Sequence, residues 1–256
     1  MAVRHFHVVA CQVFSRELSH CISQCPHSVS VSWLPQGLHD TPSQLRQELQ
    51  RMIDAIERQE GPFATKYRPE AILLCYGLCS NGVVGIRAGE IPLVIPRTDD
   101  CIALFLGSQQ RYLSLFAQYP GIYWLNNGWI ESAFIPTREM LGKRREWYAL
   151  QYGEDNADYL LEQEMSWSAQ YNHCGFIQSS VYDTPEYRAL AKQLAEDCRW
   201  SFEEFEGDLR LLRCLLNGEW GKEFLVCPPH CVVQPAYDGT KITWVPDSGE
   251  SQKAAE

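Results

Sequence analysis

The amino-acid sequence predicts an α/β protein built on doubly wound, mostly parallel sheets. Short continuous apolar runs, typical of buried parallel strands, alternate with longer segments whose apolar residues recur at helical spacing. This strand–helix–strand order occurs near the start of the chain and again toward its end. With 256 residues, of which 45% are hydrophobic, the chain can form one large domain or two smaller lobes.

The first half of the sequence contains the patterns of several strands and of one long helix. Segments 7–14, 71–75, 91–96 and 122–125 are apolar runs, and segment 29–34 alternates, so each is a predicted strand. A short helix is expected over 15–24. A long amphipathic helix is expected from Thr41, because Pro42 suits a first helical turn and apolar residues follow at helical spacing.

The second half repeats this order. Segments 175–178 and 224–227 are predicted strands, segments 185–198 and 208–216 are predicted helices, and Asn217-Gly218 is typical of a helix C-terminus. Aligning the halves by element places Cys75-x-x-x-Cys79 opposite Cys227-x-x-x-Cys231. The pattern favours two facing Rossmann-like lobes from a degenerate duplication. The expected domains are a first lobe (1–130), a helical bridge (131–170), a second lobe (171–246) and a disordered tail (247–256).

Charge and apolar content argue against two classes of partner. The formal net charge of −10 is opposite to that of a surface that binds nucleic acid. No segment reaches the roughly 18 apolar residues of a membrane helix, and the N-terminal segment turns polar at Ser15. We therefore expect a cytoplasmic protein with no nucleic-acid or membrane partner. In a reducing cytosol its 11 cysteines would be thiols or metal ligands rather than disulfides.

Three loops after predicted strands carry polar and cysteine residues. They are segment 37–40 with His39, segment 75–85 with two cysteines and several glycines, and segment 96–101, which ends at Cys101. Ligands of open α/β sheets bind at the carboxyl ends of the strands, near the point where the strand order reverses. We therefore expect the three loops to meet at one edge of the sheet.

The cysteines of these loops predict a thiolate metal centre. Cys75 and Cys79, with Cys101 from the neighbouring loop, supply three ligands, and Cys174 is a candidate fourth, although it precedes a strand. Zinc takes four ligands, or three and a labile position, and iron–sulfur clusters also take cysteine thiolates. The pattern does not choose between zinc and an iron–sulfur cluster. The alternative is a set of buried, inert thiols.

Charged side chains nearby are candidates for substrate binding and proton transfer. Arg97 is expected to hold a small anionic substrate, with an ion pair to a neighbouring aspartate as the alternative. His39 is a candidate general acid or base, or else a capping residue, and Asp100 is a second candidate for proton transfer. Glycines at 82 and 85 would let the backbone approach a bound group, or simply form a tight turn.

Several segments resemble the domain of unknown function 1638 family. The segments YGLCSNGVVGI, IPLVIPRTDDCIALFLGSQQRY and PGIYWLNNGWIE resemble its motifs, and GLHDTPSQLRQEL and DLRLLRCLLNGEW resemble its early and late parts. The matching positions are His39, Cys75, Gly77, Cys79, Asn81, Gly82, Arg97, Asp100 and Cys101. The family has no established reaction. Its occurrence in anaerobes and methanogens, in some cases near corrinoid methyltransferase genes, implies one-carbon or redox chemistry and a corrinoid or methyltransferase partner.

These observations lead to one hypothesis and two alternatives. The hypothesis is a metal-dependent enzyme, a transferase or reductase, with a zinc or iron–sulfur centre on cysteine thiolates and a small anionic substrate. Gly77, Asn81, Gly82 and Gly85 are the expected backbone contacts of the bound group. The alternatives are a non-catalytic metal or corrinoid carrier and a small-molecule sensor with inert cysteines. The oligomeric state does not follow from the sequence.

Overall fold

Two units make up the described part of the computed structural model, which covers residues 2–64 and 66–248. The first unit comprises Met1–Gln109 and Asp208–Glu256, and the second comprises Gln110–Gly207. Each unit contains parallel strands and helices, so the predicted α/β class with mostly parallel sheets is confirmed.

Strands and helices alternate along most of the chain. In chain order they are β1 (His5–Cys11), α1 (Ser15–Gln24), β2 (Ser28–Leu34), α2 (Pro42–Glu57), β3 (Ala71–Cys75), β4 (Leu93–Pro96), α3 (Cys101–Phe105), α4 (Gln109–Gln118), β5 (Ile122–Asn126), α5 (Asn127–Ser132), α6 (Arg138–Tyr152), α7 (Glu154–Met165), β6 (His173–Gln178), α8 (Pro185–Cys198), β7 (Ser201–Glu206), α9 (Arg210–Asn217), β8 (Phe224–Cys227), β9 (Cys231–Pro235) and β10 (Ile242–Pro246).

The main sheet of the first unit has the strand order β2-β1-β3-β4-β8 among the described residues. Strands β1 to β4 are parallel to one another, and Ala10 of β1 lies opposite Cys75 of β3. The chain leaves β1 toward β2 on one side and returns to β3 on the other side. The strand order therefore reverses between β1 and β3, which is where doubly wound sheets bind ligands.

Strand β8 corrects the predicted organisation of the second half. It pairs antiparallel with β4, with Leu93 opposite Cys227, so it belongs to the first unit and not to a second lobe. Strand β4 is fully buried, and an apolar strand of this kind needs a neighbour on its outer edge. The proposed duplication, which set the two cysteine pairs in different lobes, is not confirmed.

The first unit ends in a hairpin that the sequence did not predict. Strands β9 and β10 pair antiparallel, with Gln234 opposite Thr243. The Asp238-Gly239 dipeptide in the connection is a known hairpin signal and could have identified it. The predicted disordered tail lies outside the described residues from position 249 onward. Asp247, which is described, pairs with Arg87 at 3.0 Å.

The second unit contains the parallel strands β5, β6 and β7 and the helices α4 to α8. Strand β5, predicted within the first lobe, pairs with β6 here. Helix α8 covers the sheet, with Ala191 and Leu194 packed against Leu125 and Phe176. The region 131–170, predicted to be a helical bridge between lobes, lies within this unit and contains the hairpin α6–α7, which is held by ion pairs such as Arg144–Glu164 at 2.9 Å.

No helix in the ranges 2–64 and 66–248 is both long and apolar enough to cross a membrane.

Candidate functional site

The candidate site lies at the carboxyl edge of the main sheet, beside the reversal of strand order. Because β1 to β4 are parallel, the loops that follow them leave from the same edge, as predicted. Cys11 ends β1, Cys75 ends β3, and Cys101 begins the helix that follows β4. Cys79 lies in the loop after β3. We refer to Cys11, Cys75, Cys79 and Cys101 as the cysteine cluster.

Cys79 and Cys101 are in direct contact. Their Sγ atoms are 3.5 Å apart. The two loops that carry them run side by side, because the main-chain N–H of Leu78 donates to the carbonyl of Thr98 at 2.8 Å and that of Cys79 donates to the carbonyl of Asp99 at 3.1 Å. Main-chain hydrogen bonds therefore set the approach of the two thiols.

Gly77 allows this close approach of the two loops. A Cβ atom at position 77 would lie 2.5 Å from the carbonyl carbon of Asp100 and 2.6 Å from its Cα and its oxygen. Main-chain atoms cannot rotate away as a flexible side chain can, so glycine is required here. Gly77, predicted to contact a bound group, thus has a structural role in joining the loops.

Cys75 and Cys11 are the last residues of two neighbouring strands, and Cys11 lies one position beyond the residue opposite Cys75. Cys75 is fully buried, and burial, with the nearby sulfurs of Cys101 and Cys11, raises the pKa of its thiol well above the usual value. Burial raises the pKa of Cys11 to about 12, and the main-chain N–H groups of Gln12 and Val13 partly offset this by donating to its sulfur.

Cys11 is the member of the cluster that the sequence did not single out. The spacing of Cys75 and Cys79 predicts a pair of ligands, whereas Cys11 has no cysteine at such a spacing. The predicted strand 7–14 runs past Cys11, whereas the observed strand β1 ends there, so the sequence pattern held no signal for its place at the edge of the sheet. The carboxyl ends of neighbouring parallel strands share one edge, which brings Cys11 toward Cys75.

Two buried hydroxyl groups accompany the cysteines. Tyr76 is 3% exposed and Thr98 is 1% exposed, and neither hydroxyl has a hydrogen-bond partner within the described residues. Burial, followed by the charges of the cysteine cluster, raises the pKa of the Tyr76 phenol well above its usual value. Buried hydroxyl groups without a partner are costly, and they occur here beside a group of thiols.

The electrostatics of Cys101 depend on both loops. Its contact with Cys79 and its burial raise the pKa of the Cys101 thiol well above the usual value, and the main-chain N–H of Gly77 acts in the opposite direction by donating to the sulfur. Among the described residues, no three histidine, cysteine, aspartate or glutamate side chains are already arranged to hold a metal ion. A third ligand would therefore have to move toward the Cys79–Cys101 pair.

The loop after Cys79 has an unusual backbone. Cys79, Ser80 and Asn81 have φ angles of 45°, 57° and 65°, in the left-handed region that residues other than glycine rarely adopt. Each such residue costs on the order of 1 kcal/mol. A Cβ atom at Gly82 would lie 2.5 Å from Leu45 of α2. The loop is therefore held in a strained conformation against α2.

Main-chain carbonyls hold the side chain of Arg97. Its Nε donates to the carbonyl of Phe224 at 3.3 Å, and its Nη1 donates to the carbonyls of Thr240, at 2.8 Å, and Ile242. Burial lowers the pKa of the guanidinium. These contacts bind β4 to β8 and to the β9–β10 hairpin. The side chain that was predicted to bind an anion thus connects strands of the fold. Within the described residues it does not form the alternative ion pair with a neighbouring aspartate.

The two aspartates after Arg97 also have other partners. Asp99 pairs with Lys241 and accepts a hydrogen bond of 2.6 Å from Gln109. Asp100 caps α3: its Oδ1 accepts hydrogen bonds from the main chain at positions 102 and 103, at 2.9 and 3.4 Å. Helix capping by a carboxylate accounts for Asp100 without proton transfer, which stays a prediction.

His39 lies in a 3₁₀ turn after β2, on the same edge of the sheet as the cysteine cluster. Its Nε2 is 3.4 Å from Oδ1 of Asp40, and its side chain is 34% exposed. The predicted capping role of His39 and its role in proton transfer both stay predictions.

Arg46 is a cation at the carboxyl edge that the sequence did not single out. It lies in the second turn of α2, with its Cδ, Nε and Cζ 3.4, 3.5 and 3.8 Å from the position of a Cβ on Gly85. Its Nε is buried and has no hydrogen-bond partner in the ranges that the structure describes. Gly85 has a φ of 88° and donates its N–H to Val233, so it too has a structural role.

Cys174 belongs to the second unit. Its side chain is fully buried, its Sγ donates to the carbonyl of Ala191 at 3.5 Å, and burial raises its pKa to about 12. These are the surroundings of a packed core thiol. Its role as a fourth metal ligand stays a prediction.

Comparison with known proteins identifies the family. A family model described as "Protein of unknown function (DUF1638)" matches residues 33–216, which is well over half of the chain. No curated protein and no solved structure matches the chain. The matched range contains all the predicted site residues, from His39 to Cys174, whereas Cys11 lies outside it. The chain therefore belongs to the DUF1638 family, as its motifs indicated.

Proposed function

We propose that the protein is a metal-dependent enzyme whose zinc ion or iron–sulfur cluster is held by thiolates of the cysteine cluster and whose substrate is a small anion. The observation that carries this proposal is the convergence of the cluster on the reversal of strand order, with the Sγ atoms of Cys79 and Cys101 3.5 Å apart. Cys79 and Cys101 are the core ligands, and Cys75 and Cys11, whose sulfurs interact electrostatically with that of Cys101, are candidates to complete the set.

The electrostatics of the cluster determine what a bound cation would have to change. Burial and neighbouring sulfurs raise the pKa values of Cys11, Cys75 and Cys101, so these thiols are protonated at neutral pH without a counter-charge. A metal cation reverses this preference, because thiolates rather than thiols are its ligands. The N–H groups that donate to the sulfurs of Cys11 and Cys101 would stabilise those thiolates further.

The chain's own residues also provide an anion-binding group on this edge. Arg97 is occupied by main-chain carbonyls, whereas the Nε of Arg46 has no partner among the described residues. A guanidinium binds carboxylate and phosphate groups in a fixed, bidentate geometry. We therefore assign substrate binding to Arg46 instead of Arg97. A bound metal with an open position would supply Lewis acidity or activate a substrate thiol.

The metal proposal is tested by elemental analysis of protein purified without oxygen. We expect stoichiometric zinc or iron in the wild type, and a loss of most of it in Cys79→Ser and Cys101→Ser. Cys214→Ser is the matched control, because Cys214 lies in α9 of the same unit and contacts Glu219 at 3.6 Å instead of the cluster. Circular dichroism verifies folding of each variant. Equal metal content in all four proteins would contradict the proposal.

The anion proposal is tested with inorganic phosphate as the probe. Phosphate should raise the melting temperature of the wild type, and Arg46→Gln should lose this shift. Arg51→Gln is the control, since Arg51 lies on the same helix but pairs with Glu48 at 2.8 Å. A shift that persists in Arg46→Gln would exclude Arg46 as the anion-binding residue.

The class of reaction is a separate part of the proposal. One-carbon or anaerobic redox chemistry, and a corrinoid or methyltransferase partner, follow from the family resemblance alone. A non-catalytic metal or corrinoid carrier would use the same cluster. Such a carrier would hold metal as proposed but would turn over no anionic substrate.

A further inference from the structure

We propose that Cys79 and Cys101 form a redox-active pair that low-molecular-weight disulfides convert reversibly to an intramolecular disulfide. The proposal goes beyond the metal centre, because the disulfide can form in metal-free protein. Its basis is the direct contact between the two sulfurs and the way in which the backbone holds them together.

The distance between the sulfurs is short enough for a bond after a small movement. The Sγ atoms are 3.5 Å apart, and a disulfide requires about 2.05 Å. A shift of about 1.5 Å can come from side-chain rotation, because the two backbones are already adjacent. Gly77 packs against Asp100 without room for a Cβ atom, and the main-chain hydrogen bond from Cys79 to Asp99 is 3.1 Å long.

The other two cluster cysteines are less suited to this exchange. Cys75 is the last residue of β3, has no exposed surface and is held by the sheet. Cys11 is likewise the last residue of β1. Cys79, in contrast, lies in a loop, and Cys101 is partly exposed at the first position of α3. A small reagent therefore reaches the Cys79–Cys101 pair more readily than it reaches Cys75.

The reaction is a thiol–disulfide exchange in two steps. One thiol of the pair loses its proton to solvent and attacks a sulfur of the reagent as the thiolate, which forms a mixed disulfide and releases the first reagent thiol. The second thiolate then attacks the protein sulfur of the mixed disulfide and releases the second reagent thiol. Two electrons pass from the pair to the reagent, which is reduced to two thiols, and the two protons of the protein thiols end on those products.

Oxidation would also control the proposed metal centre. A disulfide has no thiolate to offer a metal, so the oxidised protein loses both core ligands. This consequence rests on the proposed function, whereas the disulfide itself does not. Reductants would restore the pair and, with it, the capacity to bind metal.

The experiment uses metal-free protein, glutathione disulfide as oxidant, and mass spectrometry after rapid acid quenching and alkylation. We expect two of the 11 cysteines to become resistant to alkylation, and dithiothreitol to restore them. Trypsin places Cys75 and Cys79 on one peptide and Cys101 on another, because Arg87 and Arg97 separate them. A crosslink between these peptides is the predicted product.

Three variants identify the bond. Cys79→Ser and Cys101→Ser should abolish the crosslink, while Cys75→Ser, which removes the other cysteine of the same peptide, should retain it. The proposal is overturned if Cys75→Ser abolishes the crosslink, if Cys79→Ser retains it, or if wild-type protein keeps all its thiols under strongly oxidising conditions. If a variant fails to fold, fragmentation of the crosslinked wild-type peptides assigns the bond to Cys79, as expected, or to Cys75, which would overturn the proposal.

The same assay on zinc-loaded protein separates this proposal from the proposed function. We expect bound zinc to slow oxidation at least several-fold and to be released as the disulfide forms. If the protein binds no zinc but still forms the crosslink, the metal proposal fails and the redox pair stands. If zinc binds but no crosslink forms with or without it, the redox pair fails and the metal proposal stands.

Discussion

Replacing Gly77 by alanine tests whether the two loops of the site must lie against each other. The added Cβ would be 2.5 Å from the carbonyl carbon of Asp100, whereas carbon atoms in contact are about 3.5–4.0 Å apart. Relief requires a separation of about 1 Å between main-chain segments. Such a shift stretches the hydrogen bonds from Leu78 to Thr98 and from Cys79 to Asp99, which are 2.8 and 3.1 Å long.

The expected cost follows from these contacts. Overpacking in a well-packed site costs about 1–3 kcal/mol, and each weakened hydrogen bond costs about 1 kcal/mol. The reduced entropy of the unfolded alanine chain offsets less than about 1 kcal/mol of this. We therefore expect Gly77→Ala to lower the free energy of unfolding by about 2–4 kcal/mol. It should also slow formation of the Cys79–Cys101 disulfide.

The assay is urea-induced unfolding monitored by circular dichroism. Gly221→Ala is the matched control in the same unit, since a Cβ at that position meets no described atom within 4 Å and its φ is not positive. The control should unfold within about 0.5 kcal/mol of the wild type. If Gly77→Ala is as stable as Gly221→Ala, the loops do not depend on their close approach and the reasoning is refuted.

Three further predictions concern pH, capping and metal binding. Burial lowers the pKa of His7 from 6.5 to about 4, so between these pH values only the unfolded chain binds a proton at His7. The free energy of unfolding should therefore fall by about 3 kcal/mol in total as pH drops from about 6.5 to about 4. Urea unfolding of His7→Asn should lack that part of the loss. Asp100→Ala removes the cap of α3 and should lower the free energy of unfolding by about 1 kcal/mol, while Asp100→Asn should keep most of the wild-type stability. Equal melting temperatures for the two variants would count against the cap. Zinc should displace about three protons from the metal-free protein, because the raised pKa values keep Cys11, Cys75 and Cys101 protonated, and its apparent affinity should rise with pH. Calorimetry in buffers of different ionisation enthalpy measures the number of protons, and no proton release would contradict thiolate binding.

Local patterns were sufficient for the elements that form the edge of the site. Strand β3 was predicted with its observed bounds, because five consecutive apolar residues are typical of a central parallel strand. The long helix was predicted because Leu45 and the apolar residues that follow it share one face. Parallel pairing of β1 to β4 then places their loops on one edge, so much of the site's location followed from the sequence.

The partners of the edge strands could not be predicted in the same way. Strand β8 pairs with β4 across more than 120 residues, and the carbonyls that hold Arg97 lie 143 and 145 residues farther along the chain. Neither the periodicity of apolar residues nor the spacing of motifs indicates which distant segment pairs with an edge strand. For this reason Arg97 was predicted to bind an anion, and its structural role became visible only in the fold.

X-ray absorption at the zinc or iron edge of protein purified without oxygen tests the thiolate centre most directly. We expect stoichiometric metal with at least three sulfur neighbours at about 2.3 Å, and a loss of sulfur scattering in Cys101→Ser. Absence of stoichiometric metal, or a shell of nitrogen and oxygen alone, would contradict the thiolate centre.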